Sequence, residues 1–399
     1  MKNKLPFALL SILSFALAGC AQSPAVSSSL STEAVSSSPS ASSAGDLLVN
    51  DMIGRSLTIK PGSYRKVVCI GAGALRLYSY VGDVSLLSGV EDIDNDTLAS
   101  RPKMFDGVAR PYFIANKDVF AKLPSCGVGG PNAQAAEAEK ILSCAPDIVI
   151  SEYEDVTKED ALQEQLGIPV VTMKTGPKGV FDTSFAGSVT LLGTIFQKEA
   201  KAKALNDFVT SEKNKIAAKV ASISLADAPK AYICGLGNWG TTDYLMTAQN
   251  YEPFNIASIA NVVDGLSKDG VQKIEKEKFA ALGPSIDTMI IDAAAVKNIK
   301  PEYQADSTIF STVKAWSTGE VYLQMAYNAY YTNYELALSN TWANAKAVYP
   351  SLFSDVDLTA KTNEITQAFL GKELASDIFA YPSSFGGYGK INTATFFAS

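Results

Sequence analysis

A chain of 399 residues is too long for one compact hydrophobic core, and its 47% hydrophobic content is that of a globular protein. Its net charge of −7 offers no basic surface for nucleic acid. Histidine is absent, so the usual general base, the Ser–His and Cys–His nucleophile pairs and the commonest transition-metal ligand are all missing. Carboxylate-only hydrolysis is among the few hydrolytic chemistries left open.

The N-terminus carries an address. Lys2 and Lys4 precede an apolar run at 6–17, interrupted by Ser11 and Ser14, and Leu17-Ala18-Gly19-Cys20 follows. A charged start, a short apolar core and small residues before a cleavage point make a secretory signal. The run falls short of the roughly 20 apolar residues that span a bilayer. Its ending resembles a bacterial lipobox, which implies a signal peptide at 1–19 and a lipid on Cys20. Residues 21–44 are mostly Ser, Ala and Pro, with Glu33 the only charge. Such a stretch cannot offset the entropy of ordering, so 20–50 reads as a lipidated, flexible tether.

Beyond the tether, strand-like and helix-like stretches alternate. Strands are expected at 56–59, 66–70 and 86–90, the last ending at Glu91, with a helix over 74–81 after Gly71-Ala72-Gly73. A polar loop holding Arg101, Pro102, Arg110 and Pro111 comes next. A helix at 133–143, a buried parallel-type strand at 147–151, a helix at 158–166 and a strand at 169–173 complete the first half. Residues 182–222 hold no strand candidate. Over 198–223, Leu205, Phe208, Ile216 and Val220 share one face of a helix of about 25 residues, ~38 Å long and able to bridge two lobes. After Pro229 the pattern restarts: strand 231–234 into Gly235-Leu236-Gly237, helix 274–282, strands 288–291 and 321–323, helices 334–348 and 364–370.

The second half repeats the logic of the first. Glu139-Lys140-Ile141-Leu142 leads through Ala145-Pro146-Asp147 into a buried strand, and Glu277-Lys278-Phe279-Ala280 leads through Gly283-Pro284-Ser285-Ile286-Asp287 into another. The expected class is α/β, with two lobes of mainly parallel sheet joined by a single long helix and a ligand cleft between them. The expected divisions are an N-terminal lobe at 51–185, a helical connection at 186–225 and a C-terminal lobe at 226–399. Cys69 and Cys234 lie in apolar strands and read as buried thiols; Cys126 and Cys144 could pair, but their spacing matches no metal motif.

Taken in order, several segments resemble the substrate-binding proteins of ABC importers for iron-siderophores, haem and cobalamin. They are Val67 through Gly73 with Leu75-Arg76, Gly89-Val90-Glu91, Ala109-Arg110-Pro111-Tyr112 with Ala115-Asn116, Gly127 through Pro131, and Glu139 through Ile150. In the second half they are Tyr251-Glu252-Pro253-Phe254, Asn261-Val262-Val263-Asp264, Glu277 through Asp287 and Tyr327-Asn328-Ala329-Tyr330. The resemblance implies a monomer that works with an ABC permease and its ATPase, without enzymatic activity or a resident cofactor. It also implies docking through one surface glutamate per lobe, here Glu139 and Glu277.

Ligands of such folds meet loops at the carboxyl ends of strands. First-lobe candidates are Arg76, Arg101, Arg110 and Tyr112, since arginine's planar fork suits the oxygens of an anionic chelate. Second-lobe candidates are Trp239, Tyr244, Tyr327, Tyr330 and Tyr331, which offer aromatic surfaces. Without histidine, a bare zinc, manganese or nickel ion is not expected, and a ferric chelate of the siderophore type fits best. Haem and cobalamin remain alternatives in the same role. A carboxylate hydrolase would instead place two acids about 5–10 Å apart across the cleft. A surface adhesin would have no deep interlobe pocket.

Overall fold

The computed structural model describes residues 45–130, 133, 135–265 and 268–397. The signal segment, Cys20 and the tether as far as residue 44 lie outside the described residues. The tether ends earlier than residue 50, because Leu47–Asn50 is already a strand, β1, paired antiparallel with β2 (Ser56–Ile59). Asp51 makes the turn by accepting the Arg55 N–H at 2.9 Å. The Arg55 guanidinium then reaches the Val170 carbonyl at 2.5 Å, which pins the hairpin to the first lobe.

The first lobe contains β3 (Val67–Ile70), α1 (Ala74–Val81), β4 (Val90–Glu91), α2 (Pro111–Phe120), β5 (Ser125–Gly127), α3 (Ala138–Ser143), β6 (Ile148–Ser151), α4 (Val156–Leu166) and β7 (Val170–Thr172). Strands run parallel in the orders β3-β6-β7 and β4-β5, and Leu87 bridges to Val67 between the two. Two expectations change here. The strand at 86–90 shrinks to β4, because Asp83 caps a tight helical turn at Val84–Leu86. The polar loop conceals α2, which starts on Pro111, a residue preset for the first helical position.

Helices α5 (Thr183–Phe196) and α6 (Glu199–Lys219) then lie against one another across a turn at Gln197. The second lobe follows with β8 (Lys230–Cys234), β9 (Met246–Gln249), α7 (Glu252–Ile256), β10 (Ala260–Asn261), β11 (Gly270–Lys273), α8 (Lys276–Leu282), β12 (Thr288–Asp292) and α9 (Val296–Ala305). It closes with α10 (Thr308–Ser311), α11 (Lys314–Thr318), β13 (Val321–Gln324), α12 (Tyr334–Val348), α13 (Leu358–Leu370), α14 (Ala375–Phe379), β14 (Gly389–Lys390) and α15 (Thr393–Phe396). Its sheet has the order β10-β8-β12-β13-β14, parallel except for β14.

Both sheets are two-faced. In β3, Val67 and Cys69 point into a large shared core while Val68 and Ile70 face α3 and α4. In β8, Ala231 and Ile233 enter that same shared core, and Tyr232 and Cys234 face a second-lobe core around Phe279. The two lobes therefore share an apolar layer in addition to the core on the far side of each sheet. Helices α1, α5, α6, α12 and α13 contribute side chains to the common layer, with Tyr80 and Phe185 both packing on Phe369. On α6 the buried stripe is Ala202, Leu205, Val209, Glu212 and Ile216. Its one acid, Glu212, pairs with Lys215 at 2.5 Å and with Lys361 of α13 at 3.0 Å.

The internal repeat is visible in hydrogen bonds. Asp147 donates its N–H to the Lys66 carbonyl at 2.8 Å, and its carboxylate accepts the N–H groups of Arg65 and Lys66. Asp287 donates to the Lys230 carbonyl at 2.8 Å, and its carboxylate accepts the Lys230 N–H at 2.9 Å. Each clamp sets the register of its lobe's central strand pair. All four cysteines among the described residues are buried free thiols, so Cys126 and Cys144 are not bonded to each other.

Candidate functional site

Each lobe's first core strand ends in a Gly-x-Gly turn, with φ of 84° and 110° at Gly71 and Gly73 and 81° and 143° at Gly235 and Gly237. Only glycine takes such angles without strain. At Gly73 there is also no room, since a Cβ would stand 2.2 Å from Glu152 Oε2. These turns carry the chain from the carboxyl ends of β3 and β8 to a seam between the lobes.

Three predicted residues meet across that seam. Arg76, fully buried on α1, donates to Asn333 Oδ1 at 3.2 Å, to the Tyr330 carbonyl at 2.7 Å and to the Ala329 carbonyl at 3.3 Å. It thus reaches the second lobe. Tyr330 donates its hydroxyl to Glu91 Oε2 at 2.5 Å. Trp239 donates Nε1 to the Met104 carbonyl at 3.0 Å. Between these contacts, Ile93, Phe105 and Val108 of the first lobe pack with Ala293, Ala294, Ala329 and Tyr330 of the second.

The other candidates lie around this line. Arg110 spends its fork internally, on Asp94, the Ile93 carbonyl and the Tyr112 hydroxyl, and Tyr112 itself is buried and donates to Asp94 at 2.7 Å. Arg101 grips Asp106 in a two-pronged pair at 2.6 and 3.1 Å. Both arginines, with Phe105 and Tyr381, line a small recess of about 130 Å³. Tyr327 and Tyr331 open on a larger recess of about 330 Å³ with Phe181, Tyr251 and Glu252, near the lower end of ligand-pocket sizes. Tyr244 is apart from all of them. It packs at 5.1 Å on Phe279 and 5.0 Å on Phe310 inside the second-lobe core, because its ring satisfies that core better than solvent.

Sequence reasoning passed over Glu91, Phe105, Glu152, Asn333 and Asp292. Glu91 had a signal: an acid closing a strand at the level of the glycine turn. Burial pushes its carboxyl up to about 7, against the opposing pull of the Tyr330 hydroxyl and the Gly71 N–H. Burial also drives Glu152 well up, and its Oε1 has no hydrogen-bond partner among the described residues. Asp292, at the end of β12, rises to about 7 for the same reason, although Gln324 and the Ala294 N–H both donate to it.

A carboxyl raised on folding stabilises the fold in full below its ordinary value near 3.8 and loses that contribution as pH climbs through about 7. From pH 5 to pH 7, Asp292 should therefore remove about 2–3 kcal/mol of stability. Urea melts at the two pH values should show a smaller drop for Asp292→Asn than for the wild type. An equal drop in both would contradict the assignment.

Glu139 and Glu277 are each the second residue of their helix, α3 and α8, in equivalent positions ahead of β6 and β12. Both are exposed, and neither forms an ion pair among the described residues. No described helix is long and apolar enough to cross a membrane.

The fold is similar to that of several solved structures. A search of curated protein sequences returned no match. Among solved structures, the molybdate-bound periplasmic binding protein MolA of Haemophilus influenzae is similar, at TM-score 0.61 and 18% identity over 82% of this chain and 99% of that one. The TroA-like periplasmic binding protein FepB of Veillonella parvula is similar at TM-score 0.59 and 19% identity, over 82% and 97%. CeuE of Helicobacter pylori, in its nickel–histidine complex, is similar at TM-score 0.54 and 15% identity, over 84% and 99%. These likenesses carry the two-lobed fold. A family model described as periplasmic binding protein matches residues 94–326, more than half of the chain. The chain accordingly belongs to the periplasmic binding protein family, whose members are solute-binding components of ABC transporters and not enzymes.

Proposed function

We propose that the protein captures an iron(III) chelate of the siderophore type between its lobes and delivers it to an ABC permease. The observation that carries this is the convergence of loops from both lobes on one seam, where a buried arginine, a buried carboxyl, a tryptophan and a tyrosine lie together. Ferric iron favours oxygen donors, and its chelates present anionic oxygens and flat rings, which arginine and aromatic side chains recognise. The absence of histidine disfavours a bare transition-metal ion. Similar structures hold molybdate in one case and nickel–histidine in another, so cargo varies on this fold and is set by each chain's own residues. Glu139 and Glu277 serve as permease contacts. A lipid on Cys20 and the tether keep the monomer beside its transporter, outside the cytoplasm.

A thermal-shift panel of ferric siderophores, haem and cobalamin tests the cargo. Stabilisation by at least one ferric siderophore and by neither macrocycle is expected, since a ligand at 100 times its Kd adds about 2.7 kcal/mol. A shift with haem or cobalamin alone would reassign the cargo. No shift with any iron chelate would remove it.

A further inference from the structure

The loop between β13 and α12 folds back on itself through a bridge between Asn328 and Thr332. Its tip residues, Tyr330 and Tyr331, both adopt left-handed backbone, with φ of 51° and 66°. That conformation costs a bulky residue about 1–2 kcal/mol, so an adjacent pair persists only where its surroundings hold it. The second lobe holds the base of the loop, where Trp239 and Asn333 donate to the Asn328 and Tyr327 carbonyls, and the first lobe holds its tip. Arg76 binds the Tyr330 and Ala329 carbonyls, Glu91 Oε2 takes the Tyr330 hydroxyl, and Phe105 stands 6.0 Å from the Tyr330 ring. The other Glu91 oxygen accepts the Gly71 N–H at 3.1 Å. Tyr330 is left 4% exposed, in a pocket made at the carboxyl ends of first-lobe strands, where this class of fold receives ligands.

We infer that Tyr330 is a tethered occupant of the first-lobe half of the solute site. The pocket of Glu91, Phe105 and Ile93 is shaped for a ring bearing a hydroxyl group, and the 328–332 loop withdraws to admit such a group of the solute. This rests on the solute-binding role proposed above and narrows the cargo to solutes carrying aryl hydroxyls. The competing possibility is a permanent strut between lobes, with solute held elsewhere, such as the recess beside Tyr331.

The probe is 4-methylphenol, the tyrosine side chain freed from its backbone. Tyr330→Gly empties the pocket, and glycine takes the left-handed angle without strain. This variant should bind the probe at least tenfold more tightly than the wild type, and Glu91→Ala added to it should cancel most of that gain. Acrylamide quenching of tryptophan fluorescence should rise in Tyr330→Gly without any probe, as the Trp239 contact with the first lobe loosens. Tyr244→Ala, which empties an equally buried site in the second-lobe core, should show no gain that depends on Glu91. If Tyr330→Gly does not fold, Tyr330→Asn, which also tolerates this backbone, carries the same expectations. Unchanged probe affinity, or a gain indifferent to Glu91, would overturn the inference in favour of the strut. Glu91-dependent probe binding combined with failure of every ferric siderophore would sink the cargo and leave the gate standing.

Discussion

Arg76→Ala should destabilise the protein by about 3–5 kcal/mol, the cost of breaking a buried charged network from one side, and should abolish solute binding. The guanidinium is fully buried, stacks over Tyr112 at 4.6 Å and supplies donors to Asn333 and to two loop carbonyls. Removing it strands those acceptors and strips the counter-charge from the buried Glu335 and the half-buried Glu152, acids whose pKa values desolvation already raises. Unpaired buried acceptors each add their desolvation cost. The midpoint of thermal unfolding should fall by roughly 5–10 °C. Arg76→Lys should recover less than half of the loss, because a point charge cannot reproduce the fork. A midpoint within about 2 °C of wild type for Arg76→Ala would show that the network is not needed.

Reversing the two charges proposed to meet the permease should separate transport from binding. Glu139 and Glu277 are exposed and without ion pairs among the described residues, so Glu139→Arg and Glu277→Arg should each change stability by no more than about 0.5 kcal/mol. Against arginines on the permease, as the family resemblance implies, a reversal replaces attraction with repulsion worth several kcal/mol. The double variant should bind solute normally and lose uptake by about 100-fold or more, with each single variant intermediate. Normal uptake by the double variant would mean that the two acids are merely solvated helix residues.

The parts of the fold that were legible are those where apolar period and punctuation agree. Helices α1 and α12 match their expected bounds, and β3, β6, β8 and β12 fall within a residue or so of theirs. The half-repeat ahead of β6 and β12 was visible because proline turns and acids recur at the same spacing. Glycine is a poor helix former, so Gly187 and Gly193 weaken the sequence signal of α5, yet in the fold they permit close packing. A Cβ on Gly187 would stand 2.9 Å from the Met52 methyl, and one on Gly193 2.7 Å from the Ala202 Cβ. Helix α2 was hidden because an Arg-Pro pair suggests a turn, whereas Pro111 opens the helix.

The site was legible only as far as loops at strand ends. Tyr244 and Tyr330 both follow second-lobe strands, and nothing local says that one enters a core and the other crosses to the opposite lobe. Glu91 and Asn333 become partners of Tyr330 and Arg76 only through contacts between residues more than 230 positions apart. The acid on the α6 stripe, Glu212, escaped notice for the same reason: its partner Lys361 lies 149 residues away.

Capture of solute at the seam between the lobes, as proposed above, would leave a signature along the chain. Hydrogen exchange with and without a saturating ferric siderophore tests it most directly, because amide protection reports local ordering along the whole chain. Protection should rise together at 71–76, 91–110, 235–240 and 327–333, with little change in the outer helices α4 and α9. Protection confined to other segments, or absent altogether while the ligand is bound, would contradict it.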